Sequence, residues 1–100
     1  MKAVLCKTLG PARDLVLEDV ASPVPKKNEI LLDVQAAGVN FPDTLIIEGK
    51  YQFQPPLPFS PGSEAAGVVA AVGEKAGAFK VGDRVMALTG WGAFAEQVAV

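Results

Sequence analysis

Histidine is absent from this chain of 100 residues, and cysteine occurs once, at Cys6. Catalytic zinc takes three protein ligands drawn from His, Cys and carboxylates. A chain with no His and one Cys is not expected to hold such a centre. An internal disulfide is excluded, because it needs two thiols. A lone Cys suits a reducing compartment. In the apolar run of residues 1–6, Cys6 is expected to act as a small buried hydrophobe. Long apolar runs are also missing. None approaches the ~20 residues needed to cross a bilayer, and the stretch after Lys2 is too short for a signal region with a cleavage site. An excess of basic charge is missing too: nine Lys and Arg face eleven Asp and Glu, for a net charge of −2. No basic run stands ready for nucleic acid or an anionic membrane surface. A cytoplasmic protein without nucleic-acid or membrane partners is the expectation.

What is present is a globular composition. Half of the residues are hydrophobic and 20% are charged. Ordering such a chain is opposed by on the order of 100–200 kcal/mol of conformational entropy, so a packed core is required. The length suits one domain. Residues 59–85, FSPGSEAAGVVAAVGEKAGAFKVGDRV, organise the rest. Within them, residues 64–72 carry Ala, Val and Gly with no charge after Glu64, which reads as a strand buried on both faces. Gly67 inside it marks a place where another backbone or a ligand comes close. Gly73, Gly77 and Gly82 suit turn positions of positive φ.

Taken in order, residues 2–7 and 15–20 read as strands, separated by Leu9-Gly10-Pro11. Residues 29–37 alternate, with Ile30, Leu32, Val34 and Ala36 on one face. After Gly38 the period changes, and residues 42–48 read as a helix with Asn40 or Phe41 near its N-cap and Gly49 beyond its end. Two turns are too few to stand alone, so this helix must pack on the sheet, with Leu45 and its neighbours expected at the contact. Residues 51–61 hold Pro55, Pro56, Pro58 and Pro61 and read as an extended crossing. Residues 84–88 and 94–100 read as final strands. Gly90-Trp91-Gly92-Ala93-Phe94-Ala95 superficially fits a dinucleotide fingerprint. That fingerprint needs a following helix, whereas an alternating segment follows, so residues 90–92 are read as a hairpin connection. Short strands with regular Gly and Pro turns imply a β-barrel or sandwich.

The spaced elements Gly62-Ser63-Glu64, Gly67, Val69, Val72-Gly73 and Gly82-Asp83-Arg84-Val85 resemble a pattern shared by medium-chain dehydrogenases and reductases. Ser63 stands where the zinc-dependent members carry a metal-ligand His. Ala37-Gly38-Val39-Asn40 resembles the zinc-free, zeta-crystallin-like quinone oxidoreductase branch, as do Gly49-Lys50-Tyr51 and Pro61-Gly62-Ser63-Glu64. The resemblance spans nearly the whole chain. It implies a mainly β, GroES-like barrel with one short helix, forming residues 1–100 of an N-terminal catalytic domain. It also implies a Rossmann domain elsewhere in a longer polypeptide, and the end of the chain in mid-strand, at Val100, is read the same way. The implied activity is NADPH-dependent, zinc-independent reduction of quinones or related conjugated carbonyls by a homodimer. An enoyl reductase, including the polyketide-synthase type, shares the zinc-free pattern, and a non-catalytic GroES-like interaction module is a third reading.

Site residues keep two readings each. Asn40 is a helix N-cap by its position; the resemblance implies that its side chain faces nicotinamide and substrate, as a catalytic and cofactor-binding group. Tyr51 is a packed loop ring; the resemblance implies that its hydroxyl contacts the cofactor and assists catalysis. Asp43 and Thr44 either line the same cleft, Thr44 as a cofactor contact, or lie solvated on the helix surface. Glu64 is expected to hold local backbone, and Trp91 to pack against the barrel.

Overall fold

In the computed structural model, which describes residues 1–100, the chain runs β1 (Lys2–Leu5), a 3-10 turn (Ala12–Asp14), β2 (Val16–Asp19), β3 (Ile30–Ala37), α1 (Phe41–Ile46), β4 (Glu64–Val72), β5 (Arg84–Leu88) and β6 (Gln97–Ala99). β1 and β2 pair antiparallel. The other strands form an antiparallel sheet in the order β5-β4-β3-β6. Residues 94–96 stitch the two sheets together: Ala3 bridges Ala95, the Val4 N–H donates to the Phe94 carbonyl at 2.8 Å, and the Glu96 N–H donates to the Lys2 carbonyl at 3.0 Å. The result is the expected mainly β architecture with one short helix. Its ladder ends at β5, which has β4 as its one hydrogen-bonded neighbour. No helix is long and apolar enough to cross a membrane.

β4 is central because its residues are small. Ala65, Gly67 and Val69 are buried, while Ala66, Val68 and Ala70 are half-buried on the other face. Gly67 faces Val34 across the β3–β4 ladder, and a Cβ there would overlap the Asp33 carbonyl. The close backbone approach read from the sequence is therefore real. Gly73 corrects a second expectation. It does not have positive φ, unlike Gly77 and Gly82. It is glycine for space, since a Cβ would overlap the carbonyls of Lys26 and Lys27.

Two further corrections come from register. The ladder slips between Val34 and Ala36, so Ala37 rather than Ala36 joins the core cluster of Leu32, Ala65, Ala93 and Val98. One extra residue in a strand turns every later side chain to the opposite face. Residues 90–92 are not a hairpin connection, because β5 and β6 lie at opposite edges of the sheet. Residues 92–94 instead bond to residues 60–62: Gly92 N–H to the Ser60 carbonyl at 2.7 Å and Phe94 N–H to the Pro61 carbonyl at 2.9 Å. That detour consumes residues 94–96 and shortens the last strand to Gln97–Ala99.

The helix is shorter than expected. Pro42 is tolerated in its first turn. Gly49, at φ 71°, ends it, with Gly49 and Lys50 N–H groups bonding back to Ile46 and Leu45 carbonyls. It is anchored by Ile46 and Ile47, the neighbours of Leu45. These two pack with Cys6 and Phe59, and Leu15 and Tyr51 close the cluster. Burying each such large side chain contributes roughly 1.5–3 kcal/mol, which replaces the stability that six helical residues lack on their own.

Cys6 is 1% exposed, as a small hydrophobe should be, and its Sγ–H lies 3.2 Å from the Thr8 carbonyl. Burial pushes its thiol pKa up. The fold thus favours the neutral thiol. This contribution is fully present below the thiol's pKa in the unfolded chain, and it is lost as pH rises through the folded value. A thiol-reactive dye at mildly alkaline pH should leave the native chain unlabelled and label it completely in denaturant. Rapid labelling without denaturant would contradict this placement.

Candidate functional site

Helix α1 and the turn after it build a small cleft. Pro42, Asp43 and Ile46 of the helix line it together with Tyr51, Phe53, Ser63 and Gly90, around a volume of about 120 Å³. Ser63 is held from behind, since its carbonyl accepts the Thr89 N–H at 2.8 Å and the neighbouring Gly62 carbonyl accepts the Thr89 hydroxyl at 2.8 Å. A larger groove of about 610 Å³ runs over one end of the β3–β4–β5 sheet, lined by Ala36, Ala66, Met86, Leu88 and their neighbours. Glu64 is the sole charged residue there. The groove offers apolar area and little to orient a ligand. The small cleft joins a phenol, a carboxylate and a hydroxyl to aromatic surface, the mix that fixes a ligand's orientation.

Tyr51 is half-buried. Its ring rests on the cluster of Cys6, Ile46, Ile47 and Phe59 and meets Phe53 edge-on at 5.1 Å between centroids. Phe53 in turn lies 5.8 Å from Trp91. The chain thus forms an aromatic row beside the cleft, with Phe53 and Trp91 partly exposed at 39% and 42%. A row of this kind offers stacking surface for a planar ring. Phe53 was not singled out in the sequence, since nothing in its spacing sets it apart from a core residue; the Tyr51-x-Phe53 alternation was the available signal.

Asn40 is the N-cap residue, with φ −127° and ψ 161°, and its side chain faces the Asp43 N–H in a capping box. The well-formed half of the capping box belongs to Asp43, whose Oδ2 accepts the Asn40 backbone N–H at 2.8 Å. The capping box uses the Asn40 side chain as an acceptor, which leaves its NH2 as a donor. Asp43 is the one buried charged residue, 6% exposed, and does not lie solvated on the helix surface. No buried side-chain oxygen or nitrogen lacks a partner. Asp43 Oδ1, which has no hydrogen bond, is therefore not fully buried.

The remaining residues are dispersed. Thr44 is exposed, does not line the cleft, and its hydroxyl donates to the Phe41 carbonyl at 2.7 Å. Asn40 lies at the head of α1, beside the cleft-lining Pro42 and Asp43 and outside the lining itself. Of the three residues marked out for cofactor or catalysis, Tyr51 alone lines the cleft. Glu64 makes no hydrogen bond to backbone; its side chain folds over Gly38, where a Cβ would overlap the carboxylate. The donor set for a catalytic zinc does not fit this site. No three Cys, Asp or Glu side chains cluster, Ser63 occupies the matching position, and Cys6 faces the carbonyls of Thr8 and Ile47.

Residues 26–100 match the family model described as the alcohol dehydrogenase GroES-like domain. The chain is similar to human quinone oxidoreductase, 48% identical over 86 residues, which cover 85% of this chain and 26% of that protein. In structure it is similar to Escherichia coli quinone oxidoreductase complexed with NADPH, with a TM-score of 0.91 and 34% identity, covering 100% of this chain and 31% of that one. A human synaptic vesicle membrane protein VAT-1 homolog-like protein superposes with a TM-score of 0.94 at 36% identity, covering 100% of this chain and 32% of that one. The chain spans about a quarter of the length of the curated relatives it matches.

Proposed function

Because the chain belongs to the alcohol dehydrogenase GroES-like domain family, we propose that it forms the substrate-side domain of a zinc-independent, NADPH-dependent reductase of quinones or related conjugated carbonyls. The observation that carries this reading is the cleft itself. A half-buried tyrosine lines it with Asp43 and Ser63, and Asn40 stands at the head of the helix that contributes Pro42, Asp43 and Ile46. The complex of a similar quinone oxidoreductase with NADPH supports the choice of cofactor.

NADPH, when bound, supplies the hydride. This chain's residues bind, orient and exclude water. Hydride addition to a conjugated carbonyl leaves negative charge on oxygen. Without a Lewis acid, hydrogen-bond donors must meet that charge, and the Tyr51 hydroxyl and the Asn40 amide are the donors at hand. Phe53 and Trp91 offer apolar faces beside the cleft for a planar ring. The Rossmann domain of the longer protein binds most of the cofactor. The lone buried thiol suits the cytoplasm.

Tyr51→Phe in the full-length protein tests this assignment. The variant keeps the ring that packs on Ile46 and Phe59 and removes the hydroxyl alone. Losing one such bond costs ~0.5–1.5 kcal/mol, and up to ~3 where a buried partner stays unpaired. The expected result is a roughly two- to hundred-fold lower kcat/KM with a simple quinone and an unchanged melting temperature. Unchanged kinetics would remove the hydroxyl from the reaction.

A further inference from the structure

We propose that Asp43 is a positioning residue, which sets the placement of the Asn40 amide through the backbone. The proposal rests on the reading of Asn40 as a donor in the reductase cleft. Asn40 stands where β3 has ended and α1 begins, in a capping box with Asp43. Its N–H donates to Asp43 Oδ2 at 2.8 Å. The return contact, from the Asp43 N–H to the Asn40 carbonyl at 3.0 Å, closes a two-bond ring around the turn. Asp43 is itself held by burial, and Ile46, one turn further on, is 3% exposed in the core. A buried carboxylate on an anchored helix is thus the rigid element, and Asn40 is hung from it. An ionised acceptor makes this bond shorter and stronger than a neutral one.

Removing the acceptor frees the peptide before α1 to rotate, which swings the Asn40 side chain with it. Misplacement of a catalytic group by a fraction of an ångström reduces rate far more than binding. A residue that served the helix alone would instead move the melting temperature and leave kinetics intact.

The test is a double-mutant cycle in the full-length reductase, read as kcat and KM with a simple quinone. Asn40→Ala and Asp43→Ala are each expected to lower kcat about tenfold, and the double variant is expected to lose about tenfold as well, because both changes remove the same placed amide. KM should change little. Asp43→Asn keeps a carbonyl acceptor at the same place and should recover most of the loss. Asp43→Leu, which fills the buried space without an acceptor, should behave as Asp43→Ala and serves in its place if the smaller variant does not fold. A loss of about a hundredfold in the double variant would show independent action and overturn the positioning role while leaving Asn40 in the reaction. Wild-type kinetics in Asn40→Ala would remove Asn40 and, with it, anything for Asp43 to position. Equal losses in Asp43→Asn and Asp43→Ala would also overturn it, since the hydrogen bond would then not be what matters.

Discussion

Gly67→Ala is expected to lower the melting temperature by roughly 10–25 °C. The added methyl would overlap the Asp33 carbonyl and crowd the Val34 Cα across the β3–β4 ladder. Both neighbours are main chain, so neither can yield by changing rotamer. Forced overpacking of this kind costs typically 1–3 kcal/mol, and a backbone neighbour places it at about 3. Domains of this size have only about 5–15 kcal/mol in hand, and each kcal/mol moves the melting point by roughly 4–8 °C. Gly77→Ala is the control. Gly77 has φ 76° with nothing within 4 Å of the added atom. Its change incurs conformational strain alone, about 1–2 kcal/mol. A thermal melt of both variants separates close approach from backbone conformation as the need for glycine. If Gly67→Ala melts with the wild type, the tight β3–β4 crossing is wrong.

The second large effect concerns the 100-residue chain by itself. It is expected to show no NADPH-driven quinone turnover and to self-associate. The first half follows from the proposal that the cofactor sits mainly in another domain; the Gly90-Trp91-Gly92 turn leads into β6 and not into a helix that would receive a pyrophosphate. The second half follows from β5. It is an edge strand whose outward residues Met86 and Leu88 are 88% and 83% exposed. An unpaired, apolar edge is a template for another strand. Light scattering across a concentration series should show mass above that of one chain. Met86→Lys with Leu88→Lys should restore the monomer, because charge on an edge opposes pairing. A monodisperse wild-type monomer that binds NADPH at micromolar concentration would contradict both halves.

These effects differ in how far they were legible beforehand. Gly67 was conspicuous because a glycine inside an uncharged Ala-Val strand has no local use, so a close neighbour had to exist. Tyr51 and Asn40 stood out through their motif and their position at a change of period. Asp43 carries two readings in the sequence, cleft-lining or solvated, because a carboxylate at the third position of a helix is ordinary on an exposed surface. Only the packing of Ile46 and Ile47 against Cys6 and Phe59 drew it inward. Gly73 suits a turn by its place in the sequence, yet the fold needs it for space against the carbonyls of Lys26 and Lys27.

The amino-acid sequence by itself determined the β-rich class, the place of the one helix, the lack of a zinc donor set and the central role of residues 64–72. Each of these depends on composition, on local period or on backbone geometry within a few residues. The tertiary structure decided the slip between Val34 and Ala36, the placing of β6 beside β3 and the detour of residues 92–94 past residues 60–62. It also decided that the cleft should gather Asp43, Tyr51, Phe53 and Ser63. Those outcomes rest on pairing between segments distant in sequence. There the free energy depends on how whole faces fit, and no local pattern carries that information.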